Sequence, residues 1–470
     1  MQRGVSPGRC RWRSSLRWSQ SPLPSDPSVI SGPQVSRGLI KEATLVHVLV
    51  IPMGSAGDVY PFVAMATALR QRGHRVTLLT SGAYQWLAEA EGLDFVPLIS
   101  ASEHEELVAN PLLWHPRHGA EFFCRSIVLP GVRKVYDLVA ERNEPGQTVM
   151  LAPPWAMGAR IAQEKMQVPL ATMHIAPLLF RSAYQNRRMP MFPVPDWVPP
   201  FIKRAIFRIG DWVMDAKFGG EILQFRDELG LPRVSKIMTE WWNSTQLIVG
   251  LFPEWFARPQ PDWPPQTRLV GFPFYRPPRT NADATRISIE LREFLAQGDR
   301  PLVFACGTAN AHQEDYYRTA VEVCQRLHRR GILLTQYPQQ LPRELPATIR
   351  HFSYVDFDEL LPHAAGLVHH GGIGTCAQAL AAGIPQLVRP LNYDQPDNGM
   401  RLKRLGVGEV ISPARFTTRR VARALDALLT SADVQGNVRV CKERFTDEAP
   451  TEQVCLLLEK LVSPNPQPVP

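Results

Sequence analysis

Val368-His369-His370-Gly371-Gly372-Ile373-Gly374-Thr375 decides how this 470-residue chain folds. An uncharged apolar run, Ala364 to Val368, leads into it and reads as a buried parallel strand. The following Cys376-Ala-Gln-Ala-Leu-Ala-Ala-Gly383 reads as a helix that glycine closes and Pro385 prevents from continuing. Together they make a strand, a glycine turn and a helix. The glycines, Gly372 and Gly374 among them, let the backbone come close to a bound group. The helix start offers N–H donors around Gly374 and Thr375 and the positive end of a dipole, which suits a diphosphate. His370 adds a side-chain donor at the same spot, and His369 reads as structural. Asp394-Gln395 follow another short strand, Gln386 to Val388, so their polar ends reach the same crevice.

The same alternation of short apolar strands and helices extends in both directions. Leu45 to Met53 reads as the first strand, Gly54-Ser-Ala-Gly-Asp-Val-Tyr60 as a turn, and Pro61 as the start of a helix. Strands at 75–80, 94–98, 148–151 and 169–174 follow, with helices between them. The pattern predicts an α/β chain with parallel sheets covered on both faces. Chain length predicts two domains. Residues 1–44 read as a disordered Arg/Ser/Pro-rich extension, 45–271 as the first domain, 272–285 as a Pro-rich linker, 286–450 as the second domain and 451–470 as a last helix and tail. Within 201–229, Phe201, Ile202, Ala205, Ile206, Ile209, Trp212 and Val213 share an apolar helical face beside Lys203, Arg204 and Arg208. That face either packs on its own domain or meets a lipid or membrane.

Composition excludes several classes. Hydrophobic residues at 44% and charged residues at 20% are globular values. The net charge of +8 fits a nucleic acid, an anionic surface or an anionic substrate. No basic helix with interleaved aromatics stands out, so no nucleic-acid partner is expected. Seven cysteines without a C-x-x-C pair suit a reducing cytoplasm. The first 40 residues carry six Arg but no apolar h-region, so they are not a signal peptide. No run approaches the roughly 20 apolar residues of a spanning helix. The first turn lacks G-x-G-x-x-G, and the second strand ends Leu78-Leu79-Thr80 with no acid for a ribose, which disfavours a dinucleotide oxidoreductase. No metal-ligand cluster stands out.

The order Tyr354, His370-Gly-Gly-Ile-Gly-Thr375, Asp394-Gln395 resembles the donor-sugar signature of family 1 glycosyltransferases, which use nucleotide-activated sugars and have the GT-B fold. The resemblance implies two Rossmann-like domains facing across a cleft, with a last helix, here Glu452 to Leu461, crossing back onto the first. It implies that Tyr354 stacks on the nucleobase while Val355 offers backbone hydrogen bonds; Phe352 and Phe357 are alternatives to Tyr354. Asp394 and Gln395 would hold sugar hydroxyls. Gly307-Thr308, after the first strand of the second domain, would add donors to the diphosphate. No metal or other cofactor is implied.

Gly54-Ser-Ala-Gly-Asp58 resembles the Gly-Ser/Thr-Arg-Gly-Asp turn of sterol-, macrolide- and glycopeptide-type members, whose Asp is the base. Asp58 is therefore the expected proton acceptor, with helix capping as the alternative role. His174, at a strand end, is expected to line the acceptor pocket. Gly54 to Phe62, Met157 to Lys165, Leu251 to Ala257, Asp262-Trp-Pro264 and Gly271-Phe-Pro273 resemble the rhamnosyltransferases of rhamnolipid synthesis. That resemblance implies inverting transfer of L-rhamnose from dTDP-L-rhamnose to a 3-(3-hydroxyalkanoyloxy)alkanoic acid. It also implies a cytoplasmic protein peripheral at the inner membrane, beside an acyltransferase partner that makes the lipid acceptor. Transfer to a sterol, macrolide or other small acceptor, and nucleotide-sugar binding without catalysis, are the competing readings.

Overall fold

Strand β1 (His47–Val50) is short, and its apolar side chains alternate between two cores. Val48 and Val50 enter one hydrophobic cluster and Leu49 enters the other. Burial on both faces is what an all-parallel sheet requires. With β2 (Arg75–Ser81), β3 (Asp94–Ile99), β4 (Thr148–Ala152), β5 (Leu170–His174), β6 (Leu247–Gly250) and β7 (Thr267–Leu269) it forms a seven-stranded sheet in the order β3-β2-β1-β4-β5-β6-β7. A six-stranded sheet contains β8 (Leu302–Ala305), β9 (Gly331–Leu334), β10 (Ile349–Phe352), β11 (Gly366–His369), β12 (Gln386–Val388) and β13 (Gly408–Val410), ordered β10-β9-β8-β11-β12-β13. Every pairing among the described residues is parallel, as in β1 with β4 and β8 with β11. Strand order reverses at those two pairs, so each sheet opens a ligand crevice at the carboxyl ends of its central strands. The computed structural model describes residues 45–185, 194–195, 197–278, 282–308, 310–445 and 449–462, with the backbone alone at 282–288. The 1–44 extension lies outside the described residues.

The chain has two parallel-sheet, Rossmann-like α/β domains. Several boundaries differ from expectation. Helix α1 is Ala56–Gln71 and carries Pro61 inside it rather than at its start. Ser55 and Asp58 form a capping pair that begins the helix before the proline, whose missing N–H then costs one bond in the opening turns of the element. Strands β10 and β13 have no counterpart in the sequence pattern. Both sit at sheet edges, where a half-polar sequence such as Ile349-Arg-His-Phe352 is tolerated.

Helix α2 (Pro200–Glu228) buries Phe218, Ile222 and Phe225 on the first domain. Its earlier half leaves large apolar side chains uncovered: Phe201, Ile209 and Trp212 are 68%, 66% and 72% exposed. Lys203, by contrast, is buried. Helix α3 (Ile373–Ala382) ends at Gly383, whose φ of 73° is left-handed and suits glycine. Helix α4 (Gln395–Arg404) follows β12. Helix α5 (Pro450–Leu461) packs on α1, adding Val454, Cys455 and Leu458 to the core around β1. Arg72 on the first domain grips Glu459 of α5 with two bonds, 2.6 and 2.8 Å, and Glu452 with a third at 2.9 Å. A further cluster joins the domains: Phe252, Phe256, Trp263 and Phe272 on one side meet Ile373, Leu380, Leu402 and Val407 on the other.

Candidate active site

A cavity of about 1670 Å³ lies between the two sheets. Sites for one small ligand run to ~300–1000 Å³, so two partners fit side by side. Its lining includes Asp58 from the first domain and Gly307, Thr308, Tyr354, Val355, His370, Gly372, Gly374, Thr375, Asp394 and Gln395 from the second. The structure thus brings together all the predicted site residues but one. His174 does not line the cavity. It is buried at the end of β5, with Nε2 2.7 Å from Asn243 Oδ1 and its ring against Phe180. Burial pushes its pKa down to about 4, so it is a neutral core residue. The end of β5 does lie at an edge of the crevice, but the side chain turns away to Asn243 and Phe180.

In the second domain β11 hands over to the glycine turn. His369 is fully buried, with Nε2 3.0 Å from Gln386 Oε1 and Nδ1 accepting from Gly371 N–H at 3.2 Å. The next ring, His370, is slotted between two glycines. A Cβ on Gly372 would lie 2.5 Å from His370 Nε2, and one on Gly307 would lie 2.8 Å from its Cε1. The seat of this imidazole therefore accounts for both glycines. Burial lowers the His370 pKa to about 4, against a hydrogen bond to the Ala305 backbone that raises it. The ring is neutral at pH 7, and its buried Nδ1 has no partner among the described residues. A diphosphate beside it would supply counter-charge and draw the pKa upward.

The first intrahelical bond of α3 runs from Cys376 N–H to Gly372 O at 3.0 Å. The N–H groups of 373, 374 and 375 therefore have no partner within the helix, at its positive end. A Cβ added to Gly374 meets nothing within 4 Å, so this glycine leaves open space where an anion would approach. Around the crevice, Tyr354 and Phe357 line the cavity while Phe352 is buried in the core with Val355.

Asp394 stands at the N-cap position of α4 without a side-chain capping bond, and its Oδ2 accepts from Asn398 Nδ2 at 2.7 Å. Asn398 Nδ2 also donates to Gly371 O at 3.0 Å, tying the Asp-Gln turn to the His-Gly-Gly turn. Asn398 is absent from the sequence-based site, although its spacing of four from Asp394 on a helix was the available signal. Gln395 is almost fully buried, and its Oε1 accepts from Leu391 N–H at 2.7 Å and Asn392 N–H at 3.2 Å. Its acceptor atom is thus spent on the turn, and the Nε2 donor remains for a ligand. Burial raises the Asp394 pKa to about 7, and the negative charge of Asp58 adds to the rise.

In the first domain Asp58 sits in the opening turn of α1. Both Ser55 N–H (2.7 Å) and Ser55 Oγ (3.0 Å) donate to its Oδ2. Gly54, with φ 137°, lies so close that a Cβ there would be 2.3 Å from Oδ2. Trp155 Nε1 pins this turn by donating to Met53 O at 2.8 Å. Asp58 therefore caps the helix and also faces the cleft; the two roles share one carboxylate. Burial raises its pKa to about 6, opposed by the Ser55 bonds. Beyond it the cavity wall turns apolar, with Leu107, Leu113, Phe123, Leu179, Ile206 and Met214. That half offers an apolar surface next to the Asp58 carboxylate. Among the described residues no group of three or more His, Cys, Asp or Glu is placed to hold a metal.

Comparison with known proteins agrees with this geometry. Residues 48–185 match the glycosyltransferase family 28 N-terminal domain, and 331–461 match the C-terminal domain of erythromycin biosynthesis protein CIII-like proteins. The chain is 27% identical over 431 residues to an O-mycaminosyltylonolide 6-deoxyallosyltransferase of Streptomyces fradiae, covering 88% of this chain and 97% of that one. It is 26% identical to a sterol 3-beta-glucosyltransferase of Arabidopsis thaliana over 435 residues, 86% of this chain and 63% of that enzyme. Among solved structures, the kitacinnamycin glycotransferase superposes with a TM-score of 0.65 at 19% identity, covering 89% of this chain and all of that one. The glycosyltransferase VinC in complex with dTDP gives 0.62 at 17%, covering 88% and 99%. A glycosyltransferase domain model on each domain and a relative matched over 97% of its own length agree with the fold: the chain is a nucleotide-sugar-dependent glycosyltransferase of the macrolide and sterol type.

Proposed function

We propose that this glycosyltransferase moves L-rhamnose from dTDP-L-rhamnose to the hydroxyl of a 3-(3-hydroxyalkanoyloxy)alkanoic acid, inverting the anomeric carbon and yielding a mono-rhamnolipid. The observation that carries the chemistry is the one cleft that holds Asp58 on one wall and His370 with the α3 N-terminus on the other. The acceptor oxygen attacks C1 as its proton passes to the Asp58 carboxylate. The C1–O bond to the diphosphate breaks, and the leaving dTDP takes the electron pair. The α3 N–H groups and His370 offset the charge that develops there, and no metal is needed for that task. Tyr354 and Val355 hold the base, Gly307 and Thr308 the far side of the diphosphate, and Asp394 and Gln395 the sugar. The choice of rhamnose and a lipid acid is supported by the first-domain sequence stretches, the apolar acceptor half of the cavity and the chain's positive charge.

The exposed apolar face of α2, with Arg204 and Arg208 on it, supports a protein peripheral at the cytoplasmic face of the inner membrane, beside the acyltransferase that supplies the acceptor. No described helix is long and apolar enough to cross a membrane. The relatives favour a second reading, transfer to a macrolide- or sterol-like acceptor. Purified enzyme offered a panel of nucleotide sugars and acceptors, with products weighed by mass spectrometry, separates the two. A rhamnosylated hydroxyalkanoyloxy acid as the main product is expected; glycosylated sterol or macrolide alone overturns the proposal.

A further inference from the structure

The turn that presents Asp394 to the cleft is held from the opposite domain. Tyr393 adopts a φ of 55°, left-handed for an aromatic residue. Such a conformation persists where surrounding contacts impose it. Its hydroxyl donates to Leu113 O at 2.6 Å and lies 3.3 Å from Gly119 O, both in the first domain. Its ring meets Trp114 and Phe123 edge-on, at centroid distances of 5.6 and 6.2 Å. Beside it, Asn392 Nδ2 donates to His115 O at 3.0 Å. The fit is close enough to dictate sequence: a Cβ on Gly119 would lie 2.6 Å from Asn392 Nδ2 and 2.7 Å from Leu113 O. The same turn is closed on its own side by Asn392 Oδ1 accepting from Tyr393 N–H at 2.8 Å and by the Gln395 bonds. Leu113, Trp114 and Phe123 in turn line the acceptor half of the cavity.

We propose that Tyr393 is a positioning residue through which the acceptor-side segment 111–123 sets the turn carrying Asp394, so that an acceptor seated against that segment tightens the grip on the donor sugar. The proposal rests on Asp394 as the sugar ligand, but not on which sugar or acceptor is used. The two carbonyls and Gly119 come from one domain and the strained turn from the other, so neither holds its conformation alone.

The test compares wild type with Tyr393→Phe, which keeps the ring contacts, and with Gly119→Ala, which reaches the latch from the other side. Thermal melts by circular dichroism confirm folding. Hydrogen exchange read by mass spectrometry, with dTDP bound, is expected to speed up about tenfold in both variants at 111–119 and at 391–398 together, with the sheet strands unchanged. Calorimetric titration with dTDP is expected to give the wild-type Kd within about twofold, because the nucleotide contacts lie in the second domain. Turnover should show kcat lowered about tenfold, with the donor KM raised a few-fold at saturating acceptor. Exchange that rises in one segment only, or in neither, overturns the latch without touching the identity of the substrates. Coupled exchange with an unchanged kcat overturns the link to Asp394.

Discussion

Asp58→Asn should cost the enzyme its turnover while making the protein more stable. The carboxylate is held by two bonds to Ser55, and burial raises its pKa from the ordinary 3.8 to about 6. Between pH ~4 and ~6 the folded state keeps a proton that the unfolded chain has already lost. Stability therefore falls as pH rises through that window and stays lower above it. The displacement is worth about 3 kcal/mol at 1.36 kcal/mol per pKa unit. Asp58 is only half-buried and open to the cleft, so solvent there trims the figure to about 1–2 kcal/mol. Asparagine keeps an acceptor for Ser55 but carries no charge, so urea unfolding at pH 8 should show the variant about 1–2 kcal/mol more stable than wild type. At pH 4 the two should match. Removing a general base typically costs 10²–10⁴-fold in rate, so kcat should fall by that range with dTDP affinity intact. In wild type, kcat should climb with pH through about 6 to 7, a limb that belongs to the coupled Asp58 and Asp394 carboxylates together. A variant with wild-type turnover would remove Asp58 from proton transfer. A variant destabilised equally at pH 4 and pH 8 would refute the burial argument.

His370→Ala should weaken dTDP about tenfold or more, and wild-type binding should take up a proton between pH 5 and 7, seen as a dependence of calorimetric heat on buffer; affinity unchanged by the substitution would clear His370 of the diphosphate site. Glu459→Gln should cost about 1 kcal/mol in urea unfolding at neutral pH, because Arg72 beside it holds its pKa down. That stabilisation is present above the ordinary carboxylate range and lost as pH falls below it, so the two proteins should converge in acid. Trp212→Ser with Ile209→Ser should lower sedimentation with anionic lipid vesicles about tenfold, and wild-type binding should weaken with salt; equal binding by the variant would show that the face of α2 does not meet lipid.

The strands at the centre of each sheet were legible because burial on both faces leaves unbroken apolar runs, as at Val48-Leu49-Val50 and at Leu367-Val368. Edge strands β10 and β13 carry Arg350, His351 and Glu409 and gave no such run. The glycine turn before α3 could be read because Gly372 makes room for the His370 ring, a local requirement printed in neighbouring residues. His174 failed for the opposite reason: its partner Asn243 is 69 residues away, and no local pattern tells a strand-end side chain which way to turn. The Asn392–His115 and Tyr393–Leu113 contacts span more than 270 residues, beyond anything periodicity can register. The helix boundary at Ala56 was obscured by Pro61, whose strong signal outweighed the Ser55–Asp58 pair that sets the start.

Helix α5 supplies Val454, Cys455 and Leu458 to the core built around β1. During synthesis the opening lobe consequently waits, one wall missing, while roughly 190 further residues are threaded out, which at ~5–20 residues per second takes roughly 10–40 s. Throughout that interval its apolar surface beneath Phe62 and Leu69 stands uncovered and open to chaperones. Expressing the first lobe alone would make that exposure permanent, so a soluble fragment calls for supplying residues 450–461 as a separate peptide or a fused segment.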